Sequence, residues 1–335
     1  MAMDDRKQRV LDAIVLLYGS GGEPIGSGLL ADYFGQSVSS ATLRNEMAAL
    51  TKLGLLEQPH TSAGRVPSAK GYRDYLDRLL SHGVDPLGAS DRQQIDALFA
   101  EMDMEPDHLA QSAARTLSSI TGLAAAATTP NAEDQCIAHY EVVQVGRNAA
   151  AVLAVTNAGG VRTRVARTQG NLTRADAQEA ARFLNENLTF RSAPDLSARY
   201  RHQLIQAAGE DLAPVVAAAI LLLSARPSVY LEGAQNLVRW PETRVELADL
   251  LALFAREDTA RQAIAPMGGR ITVTLGEDLE SPMPGLCIVS KNYLAGGGQT
   301  GTMAVIGPKR MDFRRVIPVL DYFAVKLGQC MSGKG

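Results

Sequence analysis

Residues 24–73 read PIGSGLLADYFGQSVSSATLRNEMAALTKLGLLEQPHTSAGRVPSAKGYR, and this stretch decides the fold of the N-terminal part of the chain. Its pattern predicts a helix, a tight turn at Gly35, a second helix that begins among hydroxyl residues, and a short strand that leads into a polar hairpin. This order is typical of a winged helix-turn-helix, in which the second of the two helices fits the major groove of DNA. The stretch therefore predicts a DNA-binding module.

Apolar spacing defines the first two helices of this module. In the first helix, Val10, Ile14 and Leu17 share one face at i, i+4 and i+7. The next helix is expected to take Ser27 as its N-cap and to end before Gly35, which breaks the chain. Its large side chains are expected to face inward: Leu29, Leu30, Tyr33 and Phe34.

The third helix carries the candidate reading face. We expect Ser39 to be its N-cap, and the apolar spacing predicts a buried stripe. That stripe consists of Leu43, Met47, Leu50 and Leu53. At about 100° per residue, the opposite face presents small and hydrogen-bonding residues: Ala41, Thr42, Arg44, Asn45, Ala48 and Lys52.

Hydrogen-bonding chemistry makes this face a candidate for base recognition. Arginine can pair with guanine and asparagine with adenine through two hydrogen bonds each. The alternative is that Arg44 and Asn45 are solvated residues on an ordinary amphipathic helix. The helix and turn before them and the hairpin after them favour DNA contact. The candidate DNA-binding residues on this helix are Ser39, Ser40, Thr42, Arg44 and Asn45.

The hairpin supplies the second part of the candidate site. Residues 55–58 are expected to pair with residues 65–66, and the polar segment 59–64 makes the tip, where Gly64 would allow a positive φ. An arginine near the tip would reach phosphate or the minor groove. No metal-ligand spacing surrounds His60, so contact with DNA or a structural role is the better interpretation. The candidate DNA-binding residues of the hairpin are His60, Thr61 and Arg65.

Composition limits the class of protein. The chain has 335 residues, of which 46% are apolar and 21% charged, as expected of a globular protein with more than one domain. Its longest apolar run, residues 213–223, contains Pro214 and is too short to span a membrane. Three scattered cysteines and the absence of a signal-peptide pattern favour a cytoplasmic protein. The net charge of −3 indicates that base contacts and dimerisation, more than phosphate attraction, would supply DNA affinity.

The remaining chain predicts a mixed α/β arrangement. A helix is expected over residues 107–127, and a closing helix over 312–331. A helical block over residues 171–257 separates two groups of strands, which suggests an insertion; the alternative is that these helices cover the sheet. The expected strands are 137–145, 149–156, 160–167, 271–275, 286–293 and 302–306, with a turn at 157–160 between the second and third.

The sequence contains none of the catalytic motifs that its glycine-rich segment and its histidines could suggest. The glycine-rich segment 296–301 lacks the Lys-Ser/Thr of a phosphate loop, and it joins two strands, so no helix N-terminus follows it. The histidines are widely spaced, and neither H-E-x-x-H nor G-x-S-x-G occurs. We therefore expect no enzyme, no cofactor and no metal site.

Four segments carry a family resemblance: GEPIGSGLLA at 22–31, VSSATLRNEMAAL at 38–50, GLLEQPHTSAGRVPSAKGYRDYLD at 54–77 and GGGQTGTMAVIGPKRMDFRRVIPVLDYFA at 296–324. They resemble the HrcA family of bacterial heat-inducible transcription repressors. The resemblance implies a multidomain α+β protein with an N-terminal winged helix-turn-helix and a GAF-like α/β domain that is interrupted by a mainly helical dimerising domain. The expected boundaries are 1–82 for the winged helix, 83–104 for a linker, 105–170 and 258–335 for the GAF-like domain, and 171–257 for the insertion.

The resemblance also implies a function and partners. Members of the family bind the inverted-repeat operator CIRCE, upstream of the groE and dnaK operons, as homodimers, and the chaperonin GroEL supports their activity. One alternative stays open from the sequence alone. The GAF-like domain could bind a small metabolite and thereby gate DNA binding.

Overall fold

The computed structural model describes residues 5–60, 63–130, 136–157, 160–223, 227–268 and 270–333. With 54% helix and 20% strand, the protein is a mixed α+β structure. The chain forms two compact units, of which the first contains residues 1–129, 228–294 and 301–335. The second, here called the inserted unit, contains residues 130–227 and 295–300. No helix in the described ranges has the length and apolar character needed to cross a membrane.

Residues 5–82, here called the N-terminal module, form four helices and a hairpin. In chain order these are α1 (Asp5–Gly21), α2 (Ser27–Tyr33), α3 (Ser40–Lys52), β1 (Leu56–Glu57), β2 (Val66–Pro67) and α4 (Ala69–His82). The two strands are antiparallel, with Leu56 opposite Pro67. Ile25 adds an isolated bridge to Arg65, so the segment before α2 extends the hairpin. The predicted order of elements is confirmed within this module.

The start of α2 differs from the expectation. Gly26, not Ser27, is the N-cap, and no side-chain cap bond forms there. Ser27 lies inside the first turn, where its hydroxyl shares a hydrogen bond of 2.9 Å with the hydroxyl of Ser40. The chain then turns through Gly35 and Gln36, which both have positive φ. Ser27 therefore links the beginnings of α2 and α3 instead of capping its own helix.

Three apolar residues expected in the module core are about half exposed: Leu29, Tyr33 and Leu53. Because α2 has only seven residues, it presents a narrow face to the core, and only Leu30 and Ala31 are buried. Leu53 follows the last turn of α3 as its C-cap, beyond the part of the stripe that packs inward. The apolar period identified both helices correctly but overestimated how far each one is covered.

The core of the first unit is a five-stranded sheet. Its strands are β3 (Ala124–Thr128), β7 (Val229–Glu232), β8 (Thr272–Leu275), β9 (Leu286–Leu294) and β10 (Thr300–Pro308). They lie in the order β7-β3-β10-β9-β8. Alternate residues of β3 pack with Leu237, Leu250 and Ile264 on one face of the sheet.

The first unit also contains six helices after the N-terminal module in the described part of the chain. They are α5 (Ala89–Ala100), α6 (Pro106–Thr121), α10 (Pro241–Arg244), α11 (Leu247–Phe254), α12 (Glu257–Ile264) and α13 (Phe313–Met331). Of these, α6 contacts β3, and α13 contacts β9.

The prediction of one helix over residues 107–127 was wrong in its last six residues. The helix ends at Thr121, and Gly122 adopts a left-handed C-cap. Residues 124–127, all alanine, form a strand that is fully buried between β7 and β10. Alanine favours helices and carries no periodic signal, so the local pattern could not indicate this strand. Burial between two neighbouring strands and two layers of side chains determines its conformation instead.

Residues 83–104, expected to be a linker, include a packed helix. In α5, Ile95 and Phe99 are buried. The ring of Phe99 lies 5.3 Å from the ring of Phe323 in α13. Asp96 forms an ion pair of 2.9 Å with Lys326 and accepts a hydrogen bond of 2.8 Å from the Tyr322 hydroxyl. This helix therefore belongs to the first unit.

The inserted unit contains a three-stranded antiparallel sheet with helices on one face. Its inner face presents Ala150, Val152 and Ala154, which cluster with Ala180 and Val216. The elements are β4 (Ile137–Gly146), β5 (Ala149–Thr156), β6 (Val161–Arg167), α7 (Arg174–Leu188), α8 (Ala198–Ala207) and α9 (Gly209–Leu223). The expected strands are found here, and part of the expected turn, residues 158–159, lies outside the described residues.

The boundaries of the insertion differ from those expected. The compact unit runs over residues 130–227 in place of 171–257. Strands β4 to β6 pack against α7 and α9, so they belong with the inserted helices and not with the five-stranded sheet. Conversely, α10 to α12 belong to the first unit. A change from strand to helix along the chain is therefore a poor marker of a unit boundary in this protein.

Candidate nucleic-acid interface

One side of α3 packs into the core of the module, and its other side is therefore exposed. Leu43, Met47 and Leu50 are buried, as the period predicts, and α3 contacts both α1 and α2. This packing turns the other side of the helix outward. The exposed residues on that side are Ala41, Arg44, Asn45, Ala48 and Lys52, and Thr42 is half-buried.

Ser39 caps α3 as predicted. The backbone N–H of Thr42 donates to Ser39 Oγ at 3.1 Å, and the two side-chain hydroxyls are 2.9 Å apart. One of the unpaired amides at the helix start is thereby satisfied. Ser40 is half-buried and bonded to Ser27, so it holds the first turn of α3 against α2. Ser40 was predicted to contact DNA, but its hydroxyl forms a hydrogen bond with Ser27 inside the module.

An acidic residue of α3 is neutralised by basic residues of α1. Glu46 Oε2 lies 3.3 Å from Lys7 Nζ, and Glu46 Oε1 lies 4.0 Å from Arg6 Nη1. The carboxylate side chain is largely covered. These ion pairs reduce the negative charge close to Asn45 and connect α3 to α1. The repulsion that a phosphate backbone would meet on this helix is correspondingly smaller.

The hairpin beside α3 places its candidate residues differently from the expectation. His60 is exposed, whereas Thr61 lies outside the described residues. Arg65 is half-buried at the base of the hairpin, not near the tip. Its backbone exchanges two hydrogen bonds of 2.9 Å with Ile25. The side chain turns toward α3, where Nε donates to Thr51 Oγ1 at 3.1 Å.

Thr51 is a positioning residue that the sequence pattern did not indicate. Its hydroxyl donates to Met47 O at 2.8 Å and accepts from Arg65, so it joins the last turn of α3 to the hairpin. Two further hydrogen bonds hold the residues that follow α3: Lys70 Nζ donates to Leu53 O at 2.9 Å, and Ser68 Oγ donates to Gly54 O at 2.6 Å. A threonine near a helix end carries no sequence signal for such a contact.

Gly64 is required for close approach and not, as expected, for a positive φ. Its φ lies outside the left-handed region that other glycines of the chain adopt. A Cβ at this position would lie 2.4 Å from the carbonyl carbon and oxygen of Ile25. The strand pairing between Ile25 and Arg65 therefore depends on the missing side chain.

The geometry defines a mixed α+β protein whose N-terminal module exposes a hydrogen-bonding helix face beside a short hairpin. A family model described as the HrcA protein C-terminal domain matches residues 107–317. The chain is 32% identical to a heat-inducible transcription repressor HrcA from Desulforudis audaxviator, over 99% of both proteins. It is 30% identical to the protein of the same name from Brevibacillus brevis, again over 99% of both. The chain belongs to the HrcA family of heat-inducible transcription repressors.

A solved structure shares the fold. The crystal structure of a hypothetical protein aligns over 100% of both chains, with a TM-score of 0.68 and 23% sequence identity. The role of the HrcA relatives, repression of transcription, is not an enzymatic one. Within the described ranges, no group of three or more His, Cys, Asp or Glu side chains could hold a metal ion.

Proposed function

We propose that this protein represses transcription by binding DNA through its N-terminal module, which acts as a winged helix-turn-helix with α3 in the major groove. The observation that carries the proposal is the exposed face of α3, where Arg44 and Asn45 stand beside Ala41 and Ala48. The small side chains permit close approach to base edges, and the longer ones have the hydrogen-bonding groups that distinguish guanine and adenine. In this proposal the hairpin contacts the phosphate backbone of the DNA through His60 and the terminal nitrogens of Arg65.

The operator that we propose is an inverted repeat, and the protein that binds it is a homodimer. A module with one reading helix recognises one half-site, so two half-sites call for two copies related by a two-fold axis. With a net charge of −3, the chain gains little from general phosphate attraction. Tight binding then depends on linking two reading helices, because the second half-site is bound at a high effective concentration.

The outer face of the inserted unit's sheet is the surface that we propose for dimerisation. Strand register aligns Val143, Ala151 and Val165 in one row, and Val155 with Val161 in another. Val143, Val161 and Val165 are 45%, 63% and 59% exposed. The helices of the unit cover only the inner face. The row between them holds Glu141, Leu153 and Thr163. An uncovered sheet face with several exposed valines is typical of an interface, and a second copy of this chain supplies a face of the same chemistry.

Family membership supports the finer assignment. We propose that the operator is CIRCE, that the regulated operons are groE and dnaK, and that the chaperonin GroEL supports repression in the cytoplasm. The part of the first unit that is built on the five-stranded sheet is the proposed GAF-like domain. Occupation of GroEL by unfolded proteins would then relieve repression, which links the amount of chaperonin to the demand for it.

One binding experiment tests this proposal. The full-length protein would be titrated against a labelled fragment of its own chaperonin promoter, against the same fragment with one half-site scrambled, and against random DNA. We expect protection of both half-sites and affinity at least tenfold higher than for the scrambled fragment. Equal affinity for all three fragments would contradict the proposal.

A second titration tests the chaperonin. Adding GroEL should raise the fraction of repressor that binds the operator, and adding an unfolded protein that occupies GroEL should reverse that gain. Bovine serum albumin at the same mass concentration is the control. An operator-binding fraction that does not change with GroEL would reject the chaperonin as a partner while leaving the DNA assignment intact.

A further inference from the structure

A cavity of about 470 Å³ lies within the first unit, where α1 of the N-terminal module meets the end of α6 and the start of α13. Its volume is within the range of roughly 300–1,000 Å³ that is typical of small-molecule sites. Among the described residues, none that lines it belongs to α3 or to the hairpin, so it is separate from the proposed DNA-binding face. Most of its wall is aliphatic: Val15, Leu16, Ile120, Leu123, Val316 and Val319.

The charged groups of this cavity are mainly cationic. Arg310, Arg314 and Arg315 line it together with one carboxylate, Asp312. Asp312 is occupied as the N-cap of α13, where it accepts from the backbone N–H groups of Arg314 and Arg315. Arg310 forms an ion pair with Glu242. The wall therefore combines an apolar surface with an excess of positively charged side chains.

An aromatic side chain adds to the same wall. Trp240 lines the cavity, and the guanidinium carbon of Arg310 is 4.5 Å from the centre of its ring. This cation–π contact holds the indole in place. Trp240 therefore adds a fixed apolar surface to the cavity.

We propose that this cavity binds a small amphipathic carboxylate, that is, an apolar body bearing one anionic head group. The aliphatic wall would cover the body, and the arginines would receive the carboxylate, because guanidinium groups pair with carboxylates through charge-assisted hydrogen bonds. A cationic amphiphile would meet the arginines with like charge. A neutral one would gain no charge-assisted hydrogen bond from them.

The position of the cavity gives its ligand a means to act on DNA binding, an effect that rests on the proposed function. One side of the wall belongs to α1 of the N-terminal module, and the other belongs to α13 and the segment before it. The contact between them is close, since a Cβ on Gly19 would lie 3.0 Å from the carbonyl oxygen of Arg310. A ligand that touches both sides alters the free energy of this junction. The affinity for the operator should then change with ligand concentration.

Calorimetric titration of the full-length protein with decanoate tests the site, with 1-decanol and decylamine as probes of equal chain length. We expect saturable binding of decanoate with one site per chain, and at least tenfold weaker binding of the alcohol and the amine. Equal binding of all three probes, or no saturation by decanoate at millimolar concentration, would overturn the proposal.

Two variants locate the binding. Leu16→Trp places a large side chain in the cavity and should abolish decanoate binding. Arg315→Gln, at an exposed position on the rim, should weaken decanoate binding about fivefold without changing the binding of decanol. Arg199→Gln, on an exposed helix position of the inserted unit, is the matched control and should have no effect. Unchanged decanoate binding in both Leu16→Trp and Arg315→Gln would show that the cavity is not the site.

The operator measurement separates this inference from the proposed function. Saturating decanoate should change the operator dissociation constant of the unsubstituted chain at least threefold, and should leave that of Leu16→Trp unchanged. Saturable decanoate binding by a chain that binds no operator would reject the proposed function and retain the site. Decanoate binding with no change in operator affinity would retain the site and reject its coupling to DNA.

Discussion

Two arginines of the N-terminal module have the same side chain but different surroundings, and these surroundings assign them different tasks. Arg44 is exposed in the middle of the α3 face, between the exposed Ala41 and Ala48. Arg65 is half-buried, with Nε bonded to Thr51. A residue that reads guanine needs two N–H donors that are free and exposed to the groove, because the pairing consists of two parallel hydrogen bonds. A guanidinium whose Nε is already engaged can still donate its terminal nitrogens to a phosphate.

Replacing Arg44 by alanine should weaken operator binding selectively. The loss of one bidentate base contact corresponds to about 1–3 kcal/mol of discrimination, and random DNA should be bound almost as before. Fluorescence anisotropy on both DNA sequences measures the difference. Arg199→Ala on the inserted unit serves as the control for loss of one positive charge. Equal losses on operator and random DNA would show that Arg44 contacts phosphate.

Replacing Arg65 by alanine should lower both the stability of the module and its contact with DNA phosphate. Thr51→Val separates these two effects, because it should lower only the stability. Both variants lose the hydrogen bond between α3 and the hairpin, so each should lower the free energy of unfolding by about 1 kcal/mol. Only Arg65→Ala should also reduce the slope of log affinity against log salt by about one, because it removes a phosphate contact. Denaturant titration and salt-dependent anisotropy measure these quantities. An identical fall in slope for Thr51→Val would mean that Arg65 acts only by positioning the hairpin.

At the scale of single elements, the hairpin depends on a backbone contact that a methyl group would prevent. In Gly64→Ala the new Cβ would meet the Ile25 carbonyl at 2.4 Å, and overpacking of this kind costs about 1–3 kcal/mol. Gly28→Ala in α2 is the matched control, since its Cβ would meet no atom within 4 Å. We expect Gly64→Ala to lower the melting temperature and Gly28→Ala to leave it unchanged or raise it. A stable Gly64→Ala variant would contradict the assigned pairing of Ile25 with Arg65.

Features with a local sequence signal are predicted correctly, whereas features whose burial depends on distant elements are not. The N-cap Ser39 and the stripe Leu43, Met47, Leu50 follow from cap chemistry and helical period, and both are confirmed. The exposure of Leu29 and Tyr33 does not, because it depends on how much of the seven-residue α2 its neighbours cover in the folded module. Thr51 was missed for the same reason, since its partner Arg65 lies 14 residues away.

The alanine strand β3 shows this dependence most clearly. Its residues form hydrogen-bonded pairs with β10 and β7, which lie more than 100 positions further along the chain. Nothing between residues 124 and 128 indicates those partners. Small side chains at the centre of the sheet let layers of helices approach both of its faces, and this requirement exists only in the assembled unit. Local propensity favours a helix there, and tertiary packing overrides it.

At the scale of the whole molecule, the proposed DNA-binding and dimerising surfaces belong to different compact units. The N-terminal module and the five-stranded sheet belong to one unit. The outer sheet face that exposes Val143, Val161 and Val165, here called the valine face, belongs to the other. DNA contact and self-association would then use different parts of the chain. A substitution on the valine face can therefore change the oligomeric state without altering any residue of the reading helix.

Val165→Asp should convert a dimer into a monomer. Val165 lies in the row with Ala151 and Val143 on the outer sheet face, and burying an unpaired carboxylate there is strongly unfavourable. Sedimentation equilibrium should give twice the chain mass of 35.7 kDa for the unsubstituted protein and a single chain mass for the variant. Loss of the linked second module should weaken binding to the full operator by about 10²-fold.

The affinity for an isolated half-site should be the same in Val165→Asp and in the unsubstituted chain, since α3 is unchanged. Val245→Asp is the matched control, because Val245 is also an exposed valine but lies in the first unit. It should remain dimeric and keep full operator affinity. If Val165→Asp stays dimeric, or if Val245→Asp dissociates, the subunits associate through a surface other than the valine face. The proposal that DNA binding and dimerisation use different units would then be wrong.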